Sequence, residues 1–169
     1  MKRLGIGLLI VLAAVIATLI ALRIVGFAPR DSRAGLWLPG EVVTTTVSDW
    51  SFTDAYPEIY LQTRTPYLIA HSVTIQCAQI DGQLYIASFH MGGPTAPRRR
   101  WNQNVLRDPR VRLSIGGRLY DQTAVPLTDP TEIDAVLQAY AVKYPNWKRV
   151  SEQPLAERPT IYYWRIEPA

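Results

Sequence analysis

From Leu4 to Leu22 no side chain carries a charge, and Leu, Ile, Val and Ala fill most positions. As a helix rising about 1.5 Å per residue, that run reaches roughly 28 Å, close to the thickness of a bilayer's hydrocarbon core. It has no polar face, which excludes a soluble amphipathic helix. The competing reading is a cleaved secretory signal, whose apolar core is usually about 7–15 residues. Here the run is longer, and Pro29 directly follows Ala28, the one small residue near a plausible cleavage point. An uncleaved single-pass membrane anchor over residues 1–27 is therefore expected. Lys2, Arg3 and the α-amino group favour a cytoplasmic N-terminus, while Arg23, Arg30 and Arg33 pull the other way. The short basic N-terminus decides for a cytoplasmic (inner) membrane protein with its soluble domain on the outer side.

Beyond the anchor the pattern changes from continuous to alternating. Residues 28–40, rich in Gly, Pro and Arg, read as a linker, and residues 41–169 as one domain. Glu41 to Val47 and Glu58 to Thr65 are strand-like. From Ser72 to Ile80, apolar Val73, Ile75 and Cys77 alternate with polar Ser72, Thr74 and Gln76, the period of a half-buried strand. Asp81-Gly82 supplies a tight turn, and Gln83 to Phe89 returns as its partner strand. Arg110 to Ile115 and Arg118 to Leu127 flank Gly116-Gly117 as a second hairpin. Thr160 to Glu167 closes the set. Two helices are predicted. Arg99 to Arg107 is stopped by Asp108-Pro109. The second is capped by Thr128 or Asp129, starts at Pro130, presents Ile133, Val136, Leu137 and Tyr140 on one face, and ends before Pro145. The fold class is mainly β: a small antiparallel barrel with helices over its ends, preceded by one transmembrane helix.

The formal charge of +4 misleads. Residues 1–33 hold five basic side chains and one acidic one, which leaves 13 of each sign in the remainder. The basic excess belongs to the membrane flank, so nucleic acid is not an expected partner. One cysteine, Cys77, rules out an internal disulfide, and with two histidines it cannot complete a closed zinc set.

Within the balanced domain, one window is lopsided. Arg98, Arg99, Arg100, Arg107, Arg110, Arg112 and Arg118 stand against Asp108 alone. Arginine's planar fork suits phosphate, which makes the window a candidate anion site, with Arg98 to Arg100 the functional part and a solvated, ion-paired face the alternative. Before it lies Ser88-Phe89-His90-Met91-Gly92-Gly93-Pro94, whose glycines would let a ligand approach the backbone. His71 and His90 are candidate proton donors, or simply hydrogen-bonded histidines. Ser72 and His71 are adjacent on a strand and point to opposite faces, and no G-x-S-x-G turn exists, so a serine hydrolase is a poor match.

The ordered set Asp81-Gly82-Gln83-Leu84-Tyr85-Ile86-Ala87-Ser88, Gly92-Gly93-Pro94, Pro97, Trp101, Asn104, Asp108-Pro109-Arg110-Val111 and Gly116-Gly117-Arg118 resembles the split-β-barrel flavin-binding superfamily. It resembles in particular the deazaflavin-dependent nitroreductase and quinone reductase branch, related to pyridoxamine phosphate oxidase-like proteins, over about residues 72–145. The resemblance implies a split β-barrel, an FMN or deazaflavin cofactor, and a cofactor-binding set of Arg64, Ser72, Ser88, Arg98, Arg99, Arg100, Trp101 and Asn104, with no metal. Ser88 would lie near the cofactor's ring system, and Trp101 and Asn104 would line its pocket from the short helix. One departure stands out. The deazaflavin branch has a Gly-Arg-Lys-Ser-Gly-like turn that holds the cofactor's phosphate, and here that place reads Thr63-Arg64-Thr65-Pro66-Tyr67-Leu68-Ile69-Ala70-His71-Ser72, where only Arg64 offers a substitute.

The expected function is a membrane-anchored flavin- or deazaflavin-dependent oxidoreductase acting on a lipophilic acceptor such as a quinone. The alternative is a non-catalytic small-molecule-binding or interaction module on the same scaffold. The expected partners are the lipid bilayer, a small-molecule ligand and a second copy of the chain as a homodimer.

Overall fold

A computed structural model describes residues 2–89, 99–154 and 157–169. Helix α1 (Lys2–Val25) comes first, and its segment Ile6–Val25 is long and apolar enough to cross a membrane. Most of its described leucines and isoleucines are exposed, Leu19 and Leu22 only partly so, and none of the span is buried. The helix stops at Gly26, which adopts φ 81° and donates its N–H to the Leu22 carbonyl at 2.9 Å.

The body is built from β1 (Glu41–Val43), β2 (Ile59–Arg64), β3 (Ala70–Ile75), β4 (Cys77–Ile80), β5 (Gln83–Phe89), β6 (Arg110–Ile115), β7 (Arg118–Pro126) and β8 (Ile161–Pro168). Helices α2 (Arg100–Arg107), α3 (Pro130–Lys143) and α4 (Pro145–Ser151) complete it, with a 3₁₀ turn at Ser51–Ala55. The sheet order is β3-β2-β6-β7-β8-β5-β4, all antiparallel, with β1 added parallel to β7. The first and last strands of that path, β3 and β4, are separated in sequence by Gln76 alone. They are two halves of one bent strand, and the bend closes the sheet into a barrel without a free edge there.

Two hairpins have the turn chemistry their sequences foretell. Asp81-Gly82 and Gly116-Gly117 all take positive φ, the requirement of a two-residue type I′ turn, and join β4 to β5 and β6 to β7. Asp129 is the cap of α3, accepting from the Thr131 N–H at 3.0 Å.

Three expectations need correction. The strand expected over Glu41 to Val47 ends at Val43, because only those three residues find a partner, on β7. The single strand expected over Ser72 to Ile80 is broken at Gln76, and Ser72 is buried while Val73 is only partly so. α4 and the 3₁₀ turn were not anticipated: Pro145 ends one helix and occupies the first turn of the next.

Apolar residues form two layers. Ile59, Leu61, Leu84, Ile86, Leu113, Trp101 and Trp164 fill the barrel. On its outer face Ala78, Tyr85, Ala87 and Tyr163 pack under Val136, Leu137, Tyr140 and Trp147 of α3 and α4. β5 contributes to both, so Leu84 to Ser88 are all buried and the strand reads as a continuous rather than alternating run.

Residues 26–40 form an ordered strap over the β2–β3 face. Phe27 and Trp37 pair through the Phe27 N–H and Trp37 carbonyl at 2.7 Å, and Gly35 bridges Ser72 through two backbone hydrogen bonds of 2.8 and 3.0 Å. The Leu38 N–H donates to Gln62 Oε1 at 2.7 Å, and the Leu38 side chain is buried.

Candidate functional site

The helix that precedes β6 determines how the site is arranged. α2 buries Trp101, Asn102, Asn104 and Val105 and exposes Arg100, Gln103, Leu106 and Arg107. Two asparagines on a buried face are costly unless satisfied. Asn102 Nδ2 donates to Ser88 Oγ at 3.1 Å, and Asn104 Nδ2 to Thr63 Oγ1 at 2.9 Å. Thr63 in turn donates to the His71 carbonyl at 3.1 Å. The helix is thus bolted to β5 on one side and to β2 and β3 on the other. Four buried polar atoms around this assembly have no partner among the described residues: His71 Nδ1, Ser72 Oγ, Asn102 Oδ1 and Trp164 Nε1.

At the C-terminal end of α2 opens a cavity of about 520 Å³. It lies between the β2–β3 turn, the outward residues of β6 and β7, and the strap with the last turns of α1. Arg23, Arg64, Arg107, Arg110 and Arg112 line it, against Asp108 and Asp121. Arg110 makes a two-pronged ion pair with Asp108, both bonds 2.8 Å, and Arg112 does the same with Asp121 at 2.6 and 2.7 Å. The Arg110 hydrogen bond holds the Asp108 carboxyl down to about 2, and Arg112 lowers Asp121 in the same way. The other three arginines have no ion-pair partner among the described residues. Arg107 donates to the Arg64 carbonyl, and Arg23 lies over the Trp37 ring at 5.9 Å. Five cations facing two carboxylates leave the wall positive.

The residues singled out from sequence fall into separate places. Arg64 is in the cavity wall. Ser72, paired with Gln62, is fully buried where the strap crosses β3. Ser88 lies under α2 as the acceptor of Asn102. Arg99 and Arg100 are exposed at the start of α2, seven or so residues and so about 10 Å along the helix from Arg107. Trp101 is 3 % exposed and packs on Trp164 with ring centroids 4.9 Å apart, which makes it a core residue rather than an open pocket wall. Asn104 is committed to Thr63. Arg98, His90 and the Gly92-Gly93-Pro94 loop, with Pro97, lie outside the described residues. His71 has its pKa lowered, first by burial and then by Arg100, so its ring stays neutral near pH 7.

Sequence reasoning weighed Arg107, Arg110 and Arg112 only as part of a window, although Arg110 and Arg112 at i and i+2 on a strand must share a face. Arg23 and Trp37 carried no usable signal, because only the fold of the strap brings them to β2.

A closed split barrel with an anion-attracting cavity beside the β2–β3 turn accords with the split barrels that bind flavins and deazaflavins. The family model for F420H(2)-dependent quinone reductase matches residues 64–157, and the chain belongs to that family. No curated protein matches it. Solved structures share the fold. The conserved hypothetical protein Rv2991 from Mycobacterium tuberculosis has a TM-score of 0.52 at 16% identity, covering 78% of this chain and 84% of that one. HutZ, the heme storage protein from Vibrio cholerae, has a TM-score of 0.51 at 12% identity, covering 70% and 85%. A protein described as a domain-swapped dimer has a TM-score of 0.51 at 19% identity, covering 66% and 81%.

The cavity's size falls in the usual range for cofactor sites, about 300–1,000 Å³, and its guanidinium groups suit a phosphate, so the residues fit such a cofactor.

Proposed function

We propose that the chain is a membrane-anchored, deazaflavin- or flavin-dependent oxidoreductase that reduces a lipophilic acceptor. The observation that carries this reading is the arginine cavity at the β2–β3 turn, the place where the family resemblance expects the cofactor's phosphate. Arg64 and Arg107 offer donors that no carboxylate holds in a close ion pair among the described residues, while Asp108 and Asp121 hold Arg110 and Arg112 in fixed orientations. When bound, the cofactor supplies hydride transfer, and the chain's own groups bind and orient it. Ser72, Ser88, Arg98, Arg99 and Arg100 complete the proposed cofactor-binding set, with Ser88 toward the ring system and Arg98 outside the described residues. Trp101 and Asn104 act there as positioning residues, fixing α2 from below.

Residues 1–27 form the proposed anchor, 28–40 the connection and 41–169 the catalytic domain, held at the outer side of the cytoplasmic membrane where a quinone-like acceptor dissolves. A homodimer is proposed as the assembly, in line with the dimeric structural neighbour.

A second reading, a binding module without redox chemistry, has one observation in its favour. The turn has lost the family's glycines, and Leu68 occupies a left-handed conformation (φ 66°) that glycine would adopt freely. The test is ligand identification by mass spectrometry on protein purified in mild detergent, followed by titration with FMN and deazaflavin. Binding by the parent and a loss of about 10- to 100-fold in Arg64→Ala and in Arg107→Ala, with unchanged denaturation, is the expected result. A parent that binds neither compound leaves the module reading in its place.

A further inference from the structure

Three residues from distant parts of the chain line the same cavity: Arg23 at the end of α1, Trp37 in the strap and Leu68 in the β2–β3 turn. We propose that this turn, residues 65–69, is a second membrane contact, which inserts Tyr67 and Leu68 into the interfacial zone of the leaflet from which α1 emerges. The arginine cavity then opens at the level of the lipid phosphates. This rests on the reading of α1 as a bilayer span.

The turn presents apolar surface with unusual completeness. Leu68 is 90 % exposed and Tyr67 58 %. Their exposure is not fraying: the Leu68 N–H donates to the Thr65 carbonyl at 3.3 Å, and the Thr65 hydroxyl donates to the Ile69 carbonyl. Leu68 is held at positive φ, uncommon for any residue but glycine, with its side chain almost wholly exposed. A single exposed leucine is ordinary on a protein surface. This one shares a cavity wall with a residue two positions before the end of α1. Interfacial segments enter a bilayer by roughly 5–10 Å, a depth within reach of a turn that lines one cavity with the end of the span. With α1 in the membrane and Arg23 at its boundary, Leu68 cannot be far from the headgroups.

The composition around it fits the same surface. Trp37 and Tyr67 are aromatic residues of the kind that settle at headgroup level, and Phe27, 52 % exposed, adds apolar surface just after α1. Arg23 lies beside them at the cavity, and the strap's Arg30 and Arg33 are exposed within eight residues of the end of α1. Basic side chains flanking an apolar tip are what a phospholipid surface carrying anionic headgroups would recognise.

The test uses the full chain in vesicles of phosphatidylcholine and phosphatidylglycerol. Single cysteines replace Leu68, Val142 and Leu12 in separate proteins, each labelled with an environment-sensitive fluorophore. Native Cys77 is buried, so labelling falls on the added thiol. Val142→Cys is the aqueous reference, since Val142 is 91 % exposed on α3, which packs over β4. Expected are a blue-shifted Leu68→Cys label, quenched by lipids carrying a nitroxide near the headgroup several times more strongly than the Val142→Cys label, and a Leu12→Cys label quenched by mid-chain nitroxides. A Leu68→Cys label as aqueous as the reference, with the Leu12→Cys label still deep, overturns the second contact and leaves the anchor standing. A Leu12→Cys label that no lipid quencher reaches overturns the anchor, and the second contact with it.

Discussion

The indole N–H of Trp147 donates to Oε1 of Gln76 at 2.6 Å, across 71 positions of sequence. Gln76 is the single residue between β3 and β4, so this bond falls on the bend that closes the barrel. The Gln76 carbonyl accepts from the Tyr140 hydroxyl at 3.1 Å, and Tyr144 Oη lies 2.8 Å from the Cys77 carbonyl. Helices α3 and α4 therefore serve as a clamp that satisfies the backbone and side chain of the bend, where ladder bonds are interrupted. The same rings supply the apolar layer under those helices, with Tyr140 and Trp147 centroids 4.2 Å apart.

Replacing Trp147 separates the two contributions. Trp147→Phe keeps much of the packing but strands Gln76 Oε1, and a loss of about 1–3 kcal/mol is expected. Trp147→Ala adds a cavity and should cost about 3–5 kcal/mol. Denaturant unfolding followed by circular dichroism reads both. A Trp147→Phe protein as stable as the parent would mean that the hydrogen bond contributes nothing.

Cys77 is a second reporter on the same bend. Burial pushes its thiol up to about 11, against a smaller opposite pull from Lys143. At pH 8 the folded protein should react with a thiol reagent only as fast as it opens, and completely once unfolded. Rapid reaction in native buffer would show that the bend is open to solvent.

The acid limb of stability should carry a signature of Asp108. Its folded pKa, about 2, lies below the ordinary carboxylate value because Arg110 bonds the ionised form. A lowered folded pKa contributes stability above the unfolded value, near 3.8, and that contribution is lost as pH falls through the folded one. The pair is at the surface, so its contribution is small. Asp108→Asn should flatten the stability profile between about pH 4 and 2. It also frees Arg110, so affinity for a phosphate-bearing ligand should rise at neutral pH. Titration of the variant against the parent checks both, and an unchanged acid profile would remove the Arg110 pair from the account.

Much of the barrel was readable because its signals are local. Short strand-like runs marked β2 nearly to the residue, and the turns Asp81-Gly82 and Gly116-Gly117 fixed β5 and β6 beside them. The bend at Gln76 was not readable, since alternation runs through it unbroken and only partners from α3 and α4 reveal it. The candidate site divided in the same way. Arg64 and the arginine window were visible in the sequence, but their grouping depends on α2 lying along β2 and on a strap whose long-range bonds leave no local trace. Trp101 was legible as a packing residue of the short helix, but Asn104 was not legible as drawn inward, because its partner, Thr63, lies 41 positions away.

Gly35 is the strap's weakest point, and its replacement gives the most selective test of what the strap does. A β-carbon there would lie 2.6 Å from the Pro29 nitrogen and press on the Phe27 carbonyl, both backbone atoms that cannot swing aside. Gly35→Ala must therefore displace one arm of the strap, at about 1–3 kcal/mol by analogy with overpacked cores. Displacement breaks the bridge to Ser72 and moves Trp37, and with it Arg23, out of the cavity wall, while β2, β3 and β6 keep their own ladder. The expected outcome is a folded barrel with an intact β spectrum, weaker binding of a phosphate-bearing ligand, and faster amide exchange at Ser72, whose N–H loses its acceptor on Gly35. If exchange at Ser72 quickens and ligand affinity stays at the parent value, the strap covers the sheet without shaping the cavity.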